Sequence, residues 1–372
     1  MSEVDRIIQI TDRAGTGAPN FTFGVNFAGS DSGINPFTHT EGSTEPSSPN
    51  NGDTWWDTDN DLYKVYMDNA WKDWLGTSAA TGIAWGGDRS VTHCGYADDN
   101  STDTLEYHSI GTAGNATDFG NVTEGRYMTS AVSNGTRGVY IGGQSTTGGG
   151  DLNIIDYITF ATTGNATDFG DTLTGIERTA SCSDGTRGVI GGGSVSGYVN
   201  TIQYITIASA GNATDFGDLT KIMGWGSAMA DATRGIINEG QSISATASME
   251  YVTIQTTGNA TDFGDHANNR QSGAASDATR GLVVGGDSGS RLNTISYVTI
   301  QTTGNTTDFG DLTVAGSRIG CAGDGTYITS VGGRDRSNTI DRVTVQTTGN
   351  AIDHGDMAVA GQYNASAAGA AS

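Results

Sequence analysis

Chemistry needs reactive side chains gathered at fixed spacings, and this sequence spaces few of them that way. Its five histidines (His39, His93, His108, His266, His354) stand far apart. No His-x-x-x-His or Cys-x-x-Cys pair of the kind that holds zinc occurs. No Gly-x-Ser-x-Gly elbow presents a nucleophile. Asp57-Thr-Asp-Asn-Asp61 opens like a calcium loop with Asp68 at its twelfth position, but Leu62 stands at the sixth, where glycine is needed. Acidic residues abound, 41 in all, and none is singled out as half of a glycoside-cleaving pair. The expectation is a protein that is not an enzyme, with no cofactor and no metal.

Binding is the remaining chemistry. Arg137, Arg187, Arg234 and Arg280 recur at one position of a repeat, with Tyr327 in a further copy. They are read as partners of acidic turn residues such as Asp184, Asp231 and Asp277 rather than as an anion-binding ring. Variable segments at 88–103, 144–153, 194–200, 241–248, 287–293 and 334–338 follow glycine pairs and are expected to crowd one face. From these segments His93, Tyr96, Tyr198, Arg291, Arg334 and Arg336 are the candidate contacts.

The repeat supplies the elements that must hold them. Gly-Asn-Ala-Thr-Asp-Phe-Gly begins at Gly114, Gly164, Gly211 and Gly258, with variants at Gly304 and Gly349. The spacings are 50, 47, 47, 46 and 45 residues, which makes six copies. The copies carry a small-residue run, a run ending in paired glycines (degenerate at Asn238-Glu239-Gly240), a run such as Tyr204-Ile-Thr-Ile, and the Asp-Phe-Gly phrase. Four short strands at this period predict a β-propeller blade. The phenylalanines at 119, 169, 216, 263 and 309 are expected between blades, with His354 as a polar substitute in the last. Thr81-Gly-Ile-Ala-Trp-Gly-Gly resembles the glycine-pair run but lacks a small-residue run before it. The chain's last residues, from Gly361, match that missing run. The fold class is therefore all-β: a six-bladed β-propeller over 79–372, closed by N- and C-terminal strands in one blade. An extended attachment arm (1–40) and a linker with a small three-stranded Trp-rich β module (41–78) precede it. Strands are expected at 54–58, 62–67 and 71–75.

Composition agrees with this class. The chain has 57 glycines and 4 prolines in 372 residues, 35 % apolar and 16 % charged residues, and a net charge of −23. Glycine without a three-residue period excludes collagen, and no apolar run is long enough to insert in a membrane. Only Lys64, Lys72 and Lys221 are lysines, and no basic cluster exists to neutralise phosphates, so nucleic acid is not an expected partner. Cys94, Cys182 and Cys321 are too scattered for a disulfide framework and read as small buried apolar residues. The N-terminus shows no signal peptide, so assembly in a cytoplasm is expected. Trp55, Trp56, Trp71 and Trp74 can give the module an aromatic core or a docking face, and with Ile7, Ile8 and Ile10 of the arm they are the candidate docking residues.

Two stretches resemble known proteins. Pro46-Ser-Ser-Pro-Asn-Asn-Gly-Asp-Thr-Trp-Trp-Asp-Thr-Asp59, closed by Asn69-Ala-Trp71, is similar to a module of phage virion proteins, especially tail fibres of marine phages. The Gly-Asn-Ala-Thr-Asp-Phe-Gly-Asp-Leu repeats resemble those of marine phage structural proteins, and their glycine pairs resemble Kelch propellers without the Tyr and Trp that follow in Kelch units. Ser183-Asp184-Gly185-Thr186 is only loosely similar to the sialidase Asp box, whose spacing is wider. The resemblance implies a virion location and a tail fibre or appendage whose propeller presents loops for host attachment to a surface glycan or protein. It also implies partners among other virion proteins through the N-terminal region, and an oligomeric state on the particle. A capsid decoration or head-fibre protein is the alternative, and a polysaccharide-degrading tail enzyme a third.

Overall fold

The structure is a computed structural model that describes residues 39–49, 53–57, 62–67, 70–73, 86–241, 247–266, 270–334 and 338–371. The chain divides into two compact units, Met1–Ser78 and Ala79–Ser372.

In the first unit, alternating residues around Asp/Asn turns give strands Thr54–Asp57, Leu62–Met67 and Ala70–Asp73 in an antiparallel sheet. A fourth strand, His39–Gly42, pairs in parallel with Thr54–Asp57, across a stretch read from sequence as arm and linker. The anchor is Trp55, whose Nε1 donates to the Gly42 carbonyl at 3.0 Å. Trp55 is buried with its ring edge-on to Trp71 at 5.7 Å. It serves as the core of the module, which takes it away from an outward docking face. Ile7, Ile8, Ile10, Trp74 and part of the Asp57–Asp68 stretch lie outside the described residues, as does the Trp56 side chain.

The second unit is a six-bladed all-β propeller. Blade 2 sets the pattern: Ser130–Ser133 innermost, then Arg137–Ile141, Ile154–Thr159 and Thr167–Asp171, each antiparallel to the next. Blades 3 to 6 start from inner strands Ala180–Ser183, Ser227–Ala230, Gly273–Ser276 and Gly320–Gly323. Blade 1 takes its inner strand from the far end of the chain. Ala365–Gly369 pairs with Arg89–His93, which pairs with Asn100–Ser109 and then Thr117–Arg126. Each inner strand packs against the next around the axis, and Ala365–Gly369 against Ser130–Ser133 completes the circuit. Glycine, alanine and serine dominate these strands, so six backbones fit around a narrow channel with cavities of only about 70 and 100 Å3. Bulkier residues lie between blades. Ile202 and Phe216 of blade 3, for example, pack with Ile237 and Ile254 of blade 4.

The recurring phrase is an inter-blade clasp. In every blade the third and outer strands slip register at the Asp-Phe-Gly phrase, leaving the aromatic residue in a bulge. The freed carbonyl of Phe119, Phe169, Phe216, Phe263, Phe309 or His354 then accepts the amide of the next blade's Gly-Asn glycine at 2.7–2.8 Å. The adjoining Asn Oδ1 accepts a second amide at 2.9–3.1 Å. Glycine after the phenylalanine is required because a Cβ at Gly120 would lie 2.4 Å from the Gly164 oxygen. The five phenylalanines are buried between blades, edge-on to the tyrosine of the third strand at 6.0–6.2 Å.

Two sequence expectations change here. The second strand of blade 1 is Arg89–His93, not the Thr81–Gly87 run, whose first five residues lie outside the described ones. Cys94-Gly95 fills the place of the glycine pair, and Arg89 takes the recurrent arginine position, stacked over Tyr107 at 4.8 Å. The arginines, moreover, do not reach for the turn aspartates. Arg137, Arg187, Arg234 and Arg280 stack on Tyr157, Tyr204, Tyr251 and Tyr297 at 4.1–4.5 Å. Each then donates to a backbone carbonyl of the next blade at 2.9–3.0 Å, Arg187 to Ile254 for instance. Blade 6 exchanges the two residues between strands: Arg342 lies over Tyr327 at 4.3 Å and donates to Gly111 of blade 1. The aspartates instead accept amides within their own turns, Asp184 from Thr186 and Arg187 at 2.8 Å. A desolvated carbonyl and an aromatic face satisfy the guanidinium where a carboxylate is already used by its turn.

Histidines at the seams set the acid response. His108 bonds Thr329 at 2.9 Å across the blade 1–6 seam, and His93 bonds Thr129 at 3.0 Å across the blade 1–2 seam. Burial, reinforced by His354, lowers His108 to about 3. Burial and then Arg126 lower His93 to about 4. Burial likewise lowers His266. The unfolded chain binds these protons near pH 6.5 and the folded one does not, so stability falls as pH drops below 6.5. At pH 5 His93 and His108 should together gain about two protons on unfolding, offset by up to one that a buried carboxyl, Glu177, releases. Urea titrations at stepped pH check this; a midpoint that holds constant from pH 7 to pH 4.5 contradicts it.

Candidate functional site

Two residues before each inner strand the chain turns sharply inward. The residues there are Met128, Arg178, Trp225, Gln271, Arg318 and Tyr363, with φ between 56° and 64°. A left-handed backbone costs a non-glycine residue about 1–2 kcal/mol. Six such residues, one per blade, at the same point of the unit are an outlier that calls for a reason. Elsewhere the units repeat closely; here they carry five residue types in six places.

The turns join neighbouring blades in two arcs of backbone hydrogen bonds, Met128–Arg178–Trp225 and Gln271–Arg318–Tyr363. Arg178 donates to Met128, Trp225 to Arg178, Arg318 to Gln271 and Tyr363 to Arg318, at 2.7–3.2 Å. The side chains converge over the channel mouth. Trp225 of blade 4 and Tyr363 of the facing blade 1 stack at 5.2 Å and 31°. Arg178 covers the Trp225 ring at 4.6 Å, and Arg318 lies 4.3 Å from Tyr363 and 5.6 Å from Trp225. Tyr127 and Tyr96 extend the aromatic surface, 5.5 and 6.4 Å from Tyr363. Beneath them is a cavity of about 80 Å3 lined by Met128, Arg178, Trp225, Gln271, Arg318 and Tyr363, among others.

Polar contacts fix the guanidiniums. Arg318 donates from Nε to Gln271 at 3.0 Å and from Nη1 to Gln362 at 2.8 Å. Arg178 donates from Nε to the Met128 sulfur at 3.3 Å, and its Nη1 pairs with Glu177 at 2.8 Å. Neither Nη2 has a protein partner among the described residues. Burial lowers Arg318 somewhat and raises the Tyr363 phenol. Glu177 is buried, with Oε2 unpartnered. Burial, opposed by Arg178 and helped by Asp151, raises its carboxyl to about 7. The folded chain thus holds this proton where the unfolded one has lost it, so Glu177 contributes stability below its ordinary value that is lost as pH rises through 7. A carbon-detected NMR titration should give a Glu177 midpoint near 7; a midpoint near 4.5 contradicts the environment described.

No protein-family model matches the chain, and no curated protein matches it. Function must therefore be argued from the mouth itself.

The residues singled out from the sequence scatter around this site. Tyr96 joins it, bridged through its backbone to Gln362. Arg334 lies at its edge, paired with Asp287 at 2.9 Å, and its charge acts on Arg318 and Tyr363. Tyr198 packs over Gly224 in blade 3, and Arg291 bridges to Asp287 in blade 5. His93 is no loop residue: it sits fully buried in the second strand of blade 1, so it cannot meet a solute. Arg336 lies outside the described residues. The axial residues were not singled out. Their signal was divergence at one column of an otherwise constant repeat.

Among the described residues no group of three His, Cys, Asp or Glu side chains could hold a metal ion. Cys94, Cys182 and Cys321 are free thiols, and burial raises all three, Cys182 and Cys321 to about 12. They behave as small apolar packing.

Proposed function

We propose that this protein is a phage virion fibre or appendage protein and that its propeller binds the host surface at the axial mouth. The observation that carries this is the contrast within the unit. Clasp, stacked arginine and bulge repeat almost unchanged, whereas the six axial positions carry five residue types and are held at a backbone conformation glycine would adopt more cheaply. A scaffold that spends strain on varied, partly exposed arginines and aromatic rings is presenting them. The phage resemblance of the tryptophan module and the repeat phrase supports the virion setting. The binding is to a surface glycan or protein and involves no bond making, and the N-terminal unit provides attachment to other virion proteins.

The test is adhesion of the purified full chain to cells of the particle's marine host. Trp225→Ala removes the ring at the centre of the stack, and adhesion should fall about tenfold or more. A substitution away from the mouth, Thr303→Ala in an exposed turn, should leave it unchanged. No adhesion by the wild-type chain, or equal adhesion by W225A, refutes the reading. Specific loss on the capsid shell rather than on cells would favour the decoration alternative.

A further inference from the structure

We infer that the axial mouth takes the carboxylate of an acidic sugar, so that the surface ligand is an anionic, uronic-acid-type glycan. This deepens the proposed function and rests on it for the biological setting, but the binding itself is a property of the purified chain.

Three observations lead there. The first is charge: Arg178 and Arg318 come from facing blades, each guanidinium lies over a ring of the common mouth, and neither Nη2 has a protein partner among the described residues. In a chain of net charge −23 this convergence of two guanidiniums stands against the overall field and selects for a local anion. Their Nε and Nη1 atoms each hold one partner among Gln271, Gln362, Glu177 and Met128, so the forks are held in place before a ligand arrives.

The second is size. A cavity of about 80 Å3 has room for a carboxylate and is well below the roughly 300 Å3 at which small-molecule pockets begin. The third observation is what a sugar ring would meet at the rim: Tyr96, Tyr127 and Tyr363, packed on one another, and Trp225 against Tyr363, all partly exposed. An acidic peptide would also offer carboxylates, but its backbone gains most from a free strand edge, and the mouth offers rings instead.

Glu177 adds a direction. Its carboxylate competes for Arg178, and it loses its charge below about 7. Affinity for an external carboxylate should therefore rise as pH falls from 8 to 6, where a uronate remains ionised.

The experiment titrates the full-length chain with glucuronate, methyl glucuronate ester, glucose, sodium sulfate and a short polyglutamate peptide, following NMR shifts of the Arg178, Trp225 and Arg318 side chains. Glucuronate should bind, and more tightly at pH 6 than at pH 8. The uncharged ester and glucose should bind about tenfold or more weakly, a comparison that needs no variant. Arg178→Gln with Arg318→Gln should weaken glucuronate about tenfold or more while leaving the backbone spectrum of the inner strands in place. The inference is overturned if glucuronate does not shift these residues, if the ester binds as well as the acid, or if sulfate or the peptide binds equally well. Glucuronate failure with cell adhesion still dependent on Trp225 would reject the sugar acid and keep the host-binding reading; glucuronate binding without adhesion would do the reverse.

Discussion

Removing residues 365–372 should abolish cooperative folding of the propeller. That segment supplies the inner strand of blade 1, paired residue for residue from Ala365↔His93 to Gly369↔Arg89. It is also tied to the neighbouring blade, since Ala370 donates to Gly135 of blade 2 at 2.8 Å. Its loss uncovers Val91 and Phe160, both fully buried, and leaves five residues of Arg89–His93 without partners on one edge. Each large side chain returned to water costs about 1.5–3 kcal/mol, and the opened ring loses the packing of blade 6 against blade 2 through the missing strand. The total, of order 5 kcal/mol or more, is comparable with the whole stability of an ordinary domain. Urea unfolding should lose its single sharp transition, and amide protection of 89–93 should vanish. An unchanged midpoint would mean that the wheel does not depend on its closing strand.

Replacing Arg126 by methionine should destabilise the fold by about 3 kcal/mol at pH 8. Arg126 and Asp156 form a fully buried pair at 2.8 Å between blades 1 and 2. Breaking such a pair costs about 3–5 kcal/mol, chiefly because the remaining charge has no water. The lower end applies because Asp156 keeps two donors, the Thr123 amide at 3.0 Å and its hydroxyl at 2.7 Å. Blade 6 shows what the orphaned acid becomes. There Asp341 accepts the Thr313 amide and hydroxyl with no arginine, and burial raises its carboxyl. In R126M, Asp156 should be raised likewise, so its penalty exists while it is ionised and shrinks on acidification. The stability gap between R126M and wild type should therefore narrow from pH 8 to pH 5, and Asp156→Asn added to R126M should recover part of the loss at pH 8. A gap that does not change with pH would show that Arg126 matters through its stem rather than its charge.

Much of this architecture was legible in the residues. The period near 47, the four runs per unit and the match of the last residues to a missing run fix a closed wheel, because each carries its own backbone signal. The Asp-Phe-Gly phrase marked a strand, but not the bulge that turns its carbonyl to the next blade, since bulges depend on which residue the partner strand skips. Arginine–aspartate pairing was a reasonable expectation from charge alone. It failed because a turn aspartate spends its acceptors on nearby amides, and because the tyrosine that the arginine meets lies on the adjoining strand, whose register is not written in the sequence. His93 was misplaced with the first glycine pair, a misalignment of one strand. The axial residues escaped notice because they obey no repeat rule, and that irregularity is what a binding surface on a regular scaffold looks like.

Hydrogen exchange of the full chain with and without purified host-surface polysaccharide tests the central claim most directly. Protection should appear around Tyr96, 127–128, 177–178, Trp225, Gln271, Arg318 and 362–363, the segments that meet at one end of the axis, and should leave the Gly-Asn turns at 114–115 and 211–212 unchanged. Protection confined to those turns or to the outer strands, or none anywhere, would contradict the claim that the protein works through its axial mouth.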